Sequence, residues 1–367
     1  MSTLSLRTLE ADARARLGPA VYDYFAGGAD DEITLRSNET AFSRIGLVPR
    51  VLRGSLDRTL EVELLGYRAS MPILIAPTAF HRLAHPEGER ATARAARRAG
   101  TIMIVSMAST TAIEELAIAA SDASEQATPN LWFQLYIQPD LGFTEAIVRR
   151  AEMAGCRVLV VTVDSPVFGH RRRDIRNHFL DLPPGMCCEN MRERFDDGKA
   201  GVPRQIAFNA ELSWRHIEWL RKITTLKIVL KGIMHPDDAR LAVTHSIDGL
   251  LVSNHGGRQL DTVPPAIELL PYIAEAAGGN IPLLMDGGIR RGTDVLKAIA
   301  LGAKAVAIGR PILWGLAVGG EEGVESVLQM LRSELDHALA LCGCSCICEI
   351  SPHLIRLSQM DSICSRY

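Results

Sequence analysis

No apolar run in this chain reaches the roughly 18 residues of a membrane-spanning helix, and Met1 to Leu9 hold no signal-peptide core. Charge of one sign is also missing. Forty basic residues face 43 acidic ones for a net charge of -3, which leaves no basic surface for nucleic acid or an anionic membrane. Ser365-Arg366-Tyr367 is not a Ser-Lys-Leu type address. These absences lead to the expectation of a cytoplasmic protein with neither nucleic acid nor membrane as partner. Cys-x-x-Cys pairs are absent too. Cys342, Cys344, Cys346 and Cys348 alternate instead, and no histidine pair accompanies them, so no metal is expected and the thiols are expected free. Cys187-Cys188 are neighbours, a poor geometry for bridging each other.

What is present is a repeat of short apolar runs, each followed by a stretch of helical period. The runs are Pro72 to Ala76, Thr101 to Val105, Leu131 to Leu135, Val158 to Val163, Lys227 to Leu230, Gly249 to Val252, Pro282 to Met285 and Ala305 to Ile308. Near-continuous Val, Ile and Leu suits strands buried on both faces of a parallel sheet. Eight such units predict an α/β fold of the (β/α)8 TIM-barrel type. No Gly-x-Gly-x-x-Gly opens the first unit, which disfavours a Rossmann sheet. The expected layout is one domain over 1–367: a helical extension over 1–58, a barrel over 70–340, and a long loop after strand four, 178–209, read as a mobile cover or plain disorder.

Each run ends in a polar or turn-forming group. In chain order these are Pro77-Thr78, Ser106, Gln134 with Tyr136, Thr162 with Asp164, Lys231, Ser253 with His255, Asp286, and Gly309-Arg310. In a barrel these ends meet at one mouth, where sites are built. The stretch from Ser253 to Asp261, Ser-Asn-His-Gly-Gly-Arg-Gln-Leu-Asp, sets a base and a guanidinium close together, with glycines to let both side chains aim at one molecule. That combination suits proton removal from a carboxylate-bearing substrate. Asp286-Gly287-Gly288-Ile289-Arg290 and Gly309-Arg310 follow the last two strands, where barrels commonly hold phosphate.

Read together, these motifs resemble the FMN-dependent 2-hydroxy acid oxidase and dehydrogenase family, which includes glycolate, lactate and mandelate-type enzymes. The Ser253 to Asp261 stretch carries most of the likeness. Ala76-Pro77-Thr78-Ala79, His85 to Glu89, Phe133 to Tyr136, Thr162-Val163-Asp164, Leu230-Lys231-Gly232 and Asp286 to Arg290 extend it from Val21 through Pro311. The resemblance implies FMN held by Pro77, Thr78, Ala79, Ser106, Gln134, Thr162, Lys231, Ser253, Asp286, Gly288, Arg290, Gly309 and Arg310. It implies His255 as base, Asp164 as its partner, and Tyr136 at the substrate hydroxyl. Arg258 and Tyr24 would anchor the carboxylate, with Arg171 as a second guanidinium.

The implied reaction oxidises an (S)-2-hydroxy acid to the 2-oxo acid, either by hydride transfer or through a Cα carbanion, with O2 as the expected acceptor and hydrogen peroxide as product. A dehydrogenase using another acceptor belongs to the same family. A non-redox phosphate-binding barrel would share the phosphate grip but leaves His255 and Arg258 unexplained. Ala108 stands where glycolate oxidases carry tryptophan, and Phe168 where short-chain enzymes often carry a smaller aliphatic group. Both point to a bulky or aromatic side chain on the substrate. The family likeness implies a homo-oligomer, tetramer or octamer. His81, His216, His245 and His353 are expected to be structural or solvent-facing, and His170 to reach the mouth.

Overall fold

The computed structural model describes residues 5–54, 56–121, 130–179, 181–194 and 200–357. Eight parallel strands close into a barrel in chain order: β1 (Ile73–Ile75), β2 (Met103–Val105), β3 (Leu131–Leu135), β4 (Val158–Thr162), β5 (Lys227–Ile233), β6 (Gly249–Val252), β7 (Leu283–Asp286) and β8 (Ala305–Ile308), with β8 beside β1. Each lies within the run read from the sequence or within three residues of its ends. The crossover helices surround it.

Both strand faces are buried, but against different partners. Leu74, Ile104, Trp132, Val160, Val229, Leu251, Leu284 and Ala307 fill the interior in one cluster, with Leu64 and Tyr67 of a small hairpin (Val62–Leu64, Tyr67–Ala69). The alternate residues, Ile75, Val105, Phe133, Val161, Leu230, Val252, Met285 and Ile308, belong to the second cluster, packed with the helices. Side chains alternate along a strand. Two steps past each inward residue therefore lies a side chain facing the barrel mouth, and it is there that the polar groups occur.

Three helices precede the barrel: α1 (Leu6–Arg16), α2 (Pro19–Ala26) and α3 (Ile33–Thr40). Ser5 caps α1 by accepting from the Thr8 N–H at 3.2 Å, and Pro19 opens α2. Helix α3 has a cap from far along the chain. The Asp261 carboxylate accepts from the N–H groups of Asp31, Ile33 and Thr34 at 3.1, 3.2 and 2.8 Å. Burial raises the carboxyl pKa, but these backbone bonds outweigh it and hold the group below its ordinary value. Behind α3, Asn38 and Asn254 exchange two amide hydrogen bonds of 2.9 and 2.8 Å, both side chains buried.

Two glycines make this seat possible. A Cβ on Gly257 (φ +73°) would stand 2.7 Å from the Leu35 nitrogen, and one on Gly288 (φ +81°) 2.0 Å from the Asn38 carbonyl oxygen. Gly257 was expected to help aim His255 and Arg258. Its closest neighbours are in α3 instead, so close backbone approach is what requires glycine here.

The segment after β4 carries definite structure in its described residues, including a short hairpin (Arg192–Arg194 with Ala200–Pro203). A final helix (Arg310–Cys342), broken at Gly319-Gly320, packs on the outside. Cys346 and Cys348 form a disulfide, Cα atoms 5.3 Å apart, against the expectation of free thiols. Extended backbone at Cys346 followed by a 3-10 turn over Ile347–Glu349 folds the second sulfur back onto the first. Among the described residues no helix is long and apolar enough to cross a membrane.

Candidate active site

At the C-terminal ends of the strands lies a cavity of about 950 Å³. Pro77, Thr78, Ala79, Ser106, Lys231, Asp286, Gly288, Arg290, Gly309 and Arg310 line it. Gln134, Thr162 and Ser253 are buried and bonded to that lining or to each other. The Ser106 hydroxyl donates to Gln134 Oε1 at 3.3 Å, and Gln134 Nε2 donates to Thr162 Oγ1 at 3.0 Å. Lys231 Nζ donates to Ser253 Oγ at 2.9 Å and lies 3.4 Å from Asp286 Oδ2.

This ring suits a flavin mononucleotide. Lys231 offers a fixed cation to a ring that gains negative charge on reduction. Asp286 Oδ1 is buried without a partner among the described residues, an acceptor for a ligand hydroxyl. Glycine backbone at 287 and 288 after β7, and at 309 at the start of the final helix, offers N–H groups to a phosphate. The two arginines are less free than their motifs suggested. Arg290 pairs with Glu39 of α3 at 2.7 Å, and the Arg310 guanidinium is held by three backbone carbonyls.

Asp164 and His255 face each other across the mouth, with Asp164 Oδ1 2.9 Å from His255 Nδ1. His255 takes a left-handed backbone conformation (φ 59°), and its N–H donates to Ser253 Oγ at 3.0 Å. The Ser165 hydroxyl also donates to Asp164 Oδ1, at 2.9 Å. Burial raises the Asp164 pKa, but His255, Lys231 and Ser165 together outweigh it and hold the carboxyl at about 2. Burial pushes the His255 imidazole down. Asp164 opposes this, Lys231 and Arg171 add to it, and the net result is a pKa below 6.5. At neutral pH the ring is uncharged. With Nδ1–H donated to Asp164, its Nε2 is left as an acceptor, which is the form a base requires.

Gln259 steadies this pair. Its amide donates to the carbonyls of Asp164 and Val167 at 3.2 and 3.0 Å, and its oxygen accepts from the Gly169 N–H at 3.1 Å. Gly232, on the next strand, leaves room for Asp164: a Cβ there would come within 2.6 Å of Asp164 Cβ.

The same cavity is lined by Tyr24, Tyr136, Arg171 and Arg258. Arg258 donates to the Tyr24 and Gly27 carbonyls at 2.7 and 2.9 Å, and its guanidinium stands 5.1 Å from the Tyr24 ring centre. Arg171 is buried, its Nε without a partner among the described residues, and its guanidinium lies 4.2 Å from the Phe168 ring centre. Burial and then Arg258 lower its pKa to about 10, so it remains a cation at neutral pH. Burial and then Asp164 raise the Tyr136 hydroxyl above its ordinary value, so it keeps its proton and can donate. Two arginines on one cavity, Arg171 buried and Arg258 half-buried, call for an anion.

Ala108 is on the wall, 7 % exposed, while Phe168 lies at the rim, 55 % exposed. The segment after β4 contributes Phe179, Met186, Cys188, Ile206 and Phe208 to the lining. Phe208 packs edge-on to Tyr136 at 5.4 Å and against Phe168 at 5.7 Å. The sequence did not mark Phe179, Met186, Cys188, Ile206 or Phe208 as lining, because an irregular segment carries no period from which to read which side chains turn inward. His170 reaches the lining and bonds Asp30 at 2.8 Å. His81 is buried, its ring between the Thr78 and Thr92 hydroxyls at 2.6 and 2.9 Å. Asp181, Leu182 and Arg204 complete the cavity's outer edge.

Comparison with known proteins places this geometry. A family model described as FMN-dependent dehydrogenase matches residues 13–357. Human 2-hydroxyacid oxidase 1 is 46 % identical over 368 residues, covering 97 % of each chain. An L-lactate oxidase from Nostoc sp. is 46 % identical over 97 % of this chain and 99 % of its own. Among solved structures, a mandelate oxidase variant with (S)-mandelic acid superposes with a TM-score of 0.87 at 41 % identity, covering 97 % of this chain and 98 % of that one.

The neutral state of His255 sets a pH dependence. Substrate-driven flavin reduction, followed anaerobically by stopped flow, is expected to be flat just above neutrality. It should fall on the acid side with a midpoint below 6.5, as protonation removes the base. A limb rising only above pH 7 would show that His255 is charged in the working enzyme.

Proposed function

Because the chain belongs to the FMN-dependent dehydrogenase family, we propose that it oxidises an (S)-2-hydroxy acid to the 2-oxo acid and passes the electrons to O2. The observation that carries this reading is the 2.9 Å Asp164–His255 pair in one cavity with Arg171, Arg258 and the Lys231 ring. Arg258 and Arg171 take the substrate carboxylate, and Tyr24 closes over it. Tyr136 donates to the substrate hydroxyl oxygen. His255 Nε2 receives a substrate proton, and the resulting imidazolium is stabilised by Asp164. Bound FMN supplies the acceptor for the two electrons the substrate loses. Two protons and those electrons then convert O2 to hydrogen peroxide. The oxidase names of the relatives support O2 as acceptor.

The substrate side chain is read from the wall. Ala108 leaves open the volume an indole would fill, and Phe168, Phe179, Ile206 and Phe208 offer an apolar surface beyond it. A bulky or aromatic 2-hydroxy acid suits this surface better than glycolate. The likeness to mandelate oxidases points the same way.

We further propose that copies of the chain associate through the face formed by Val48, Val51, Leu52, Leu341 and Leu357, all exposed. Backbone bonds from Val48 to Leu354 and from Arg50 to Cys342 draw these residues into one region. Exposed apolar clusters of this kind mark association surfaces.

Four measurements check these readings. His255→Gln should retain FMN yet lose roughly 100-fold or more in the rate of flavin reduction. In the unaltered enzyme, peroxide should match 2-oxo acid one to one; rapid reduction in the variant, or 2-oxo acid without peroxide, would refute the base or the acceptor respectively. Ala108→Trp should cost mandelate-sized substrates roughly 10- to 100-fold in kcat/KM while leaving glycolate within about threefold. Equal losses on both would remove Ala108 from the side-chain pocket. Light scattering should report a tetramer or octamer that Leu52→Glu dissociates, and a monomeric unaltered protein would overturn the association.

A further inference from the structure

Arg310 stands in a glycine-arginine pair expected to grip phosphate, yet its side chain is committed elsewhere. Its Nε donates to the Phe25 carbonyl at 3.0 Å, Nη1 to Gly256 at 3.0 Å and Nη2 to Gly27 at 2.8 Å. Arg258 donates to Tyr24 and to the same Gly27 carbonyl. The last turn of α2 thus has three of its otherwise unsatisfied carbonyls held by two arginines, one following β6 and one following β8. A helix C-terminus favours cations, because its final carbonyls point outward with partial negative charge. Arg310 serves that end and, through Gly256, also the turn that follows His255.

We propose that the Arg310 side chain is a positioning residue for the substrate carboxylate, leaving only its backbone N–H, at the start of the final helix, for the cofactor phosphate. Three fixed bonds from one rigid guanidinium lock Tyr24, on α2, to the turn carrying His255 and Arg258. The separation of the carboxylate anchors from the base is then set by Arg310. Two close approaches support the lock. A Cβ on Gly256 would sit 2.9 Å from Arg310 Nη1, and one on Gly28 2.8 Å from the Gly257 carbonyl. Lysine cannot replace this arrangement, since a single ammonium on a flexible stem does not present donors in a planar fork. The proposal rests on the reading of Tyr24 and Arg258 as carboxylate anchors.

The test compares Arg310→Lys, Arg310→Met and Arg258→Met in the full-length protein. Inhibition by oxalate, a dicarboxylate without a side chain, reports the anchors. Titration of flavin-stripped protein with FMN and with riboflavin, which lacks the phosphate, isolates the phosphate contact. For both Arg310 variants the oxalate Ki and the substrate KM should rise about tenfold or more. FMN and riboflavin affinities should fall by a common factor of no more than about threefold, and the FMN-to-riboflavin ratio should hold. A drop of about tenfold or more in FMN affinity alone, with the oxalate Ki unchanged, overturns the proposal and returns the side chain to the phosphate. If Arg258→Met raises the oxalate Ki and neither Arg310 variant does, the lock is refuted while the anchors stand. If Arg258→Met changes nothing, the anchor assignment falls and takes the lock with it. Should Arg310→Met fail to fold, the charge-retaining lysine variant decides alone.

Discussion

Everything at the mouth of this barrel depends on the two-residue alternation of its strands. One set of side chains must fill the interior and the other must meet the helices, so each strand is apolar on both faces for as long as it is enclosed. Where the interior set reaches the mouth, the demand for apolar side chains ends, and the next inward position is free to be polar. Ser106, Gln134, Thr162, Lys231, Ser253 and Asp286 occupy those positions. Their mutual hydrogen bonds make a floor whose polar atoms are largely satisfied before any ligand arrives. Asp286 Oδ1, Asp164 Oδ2 and the Arg171 Nε are informative exceptions around the cavity: each is buried with no partner among the described residues, so a ligand can complete it.

Electrostatics then divides the cavity into two ends. Around Lys231 a cation lies beside a carboxylate, and the pair is poised to meet a cofactor whose charge changes. Around Arg171 and Arg258 two cations share one cavity, the first buried and the second half-buried, an arrangement costly unless an anion completes it. Burial, with Lys231 and Arg171, keeps His255 neutral, while Asp164 holds it in the useful tautomer. Substrate binding and base strength thus share the same charges.

Much of this was legible in the residues. The eight apolar runs announce the barrel because a buried parallel strand admits little else. The polar residue after each run announces the mouth because chain order and barrel closure leave it nowhere else to go. Less legible was what depends on one segment approaching another. Asp261 reads as the end of a motif, but its work is to cap a helix more than two hundred residues earlier. Gly257 reads as a hinge and is a clearance for α3. The contacts that Arg290 makes with Glu39 and Arg310 with backbone carbonyls gave no signal beyond the phosphate reading of their motifs. Phe208 gives no signal, since a side chain on an irregular segment turns inward only by virtue of what it meets. The Cys346–Cys348 link was hidden by its neighbours, as alternation of four cysteines leaves the pairing open.

The docking of α2 also bears on the order in which the molecule can be completed. Tyr24 and the carbonyls beside it leave the ribosome before any barrel strand, yet the groups that hold them, Arg258 and Arg310, come from the sixth and eighth repeats. During synthesis the early helices have no finished surface on which to settle. These helices, made before the barrel, are thus among the last elements to find their place, and the carboxylate end of the cavity is assembled only when the barrel has closed behind them.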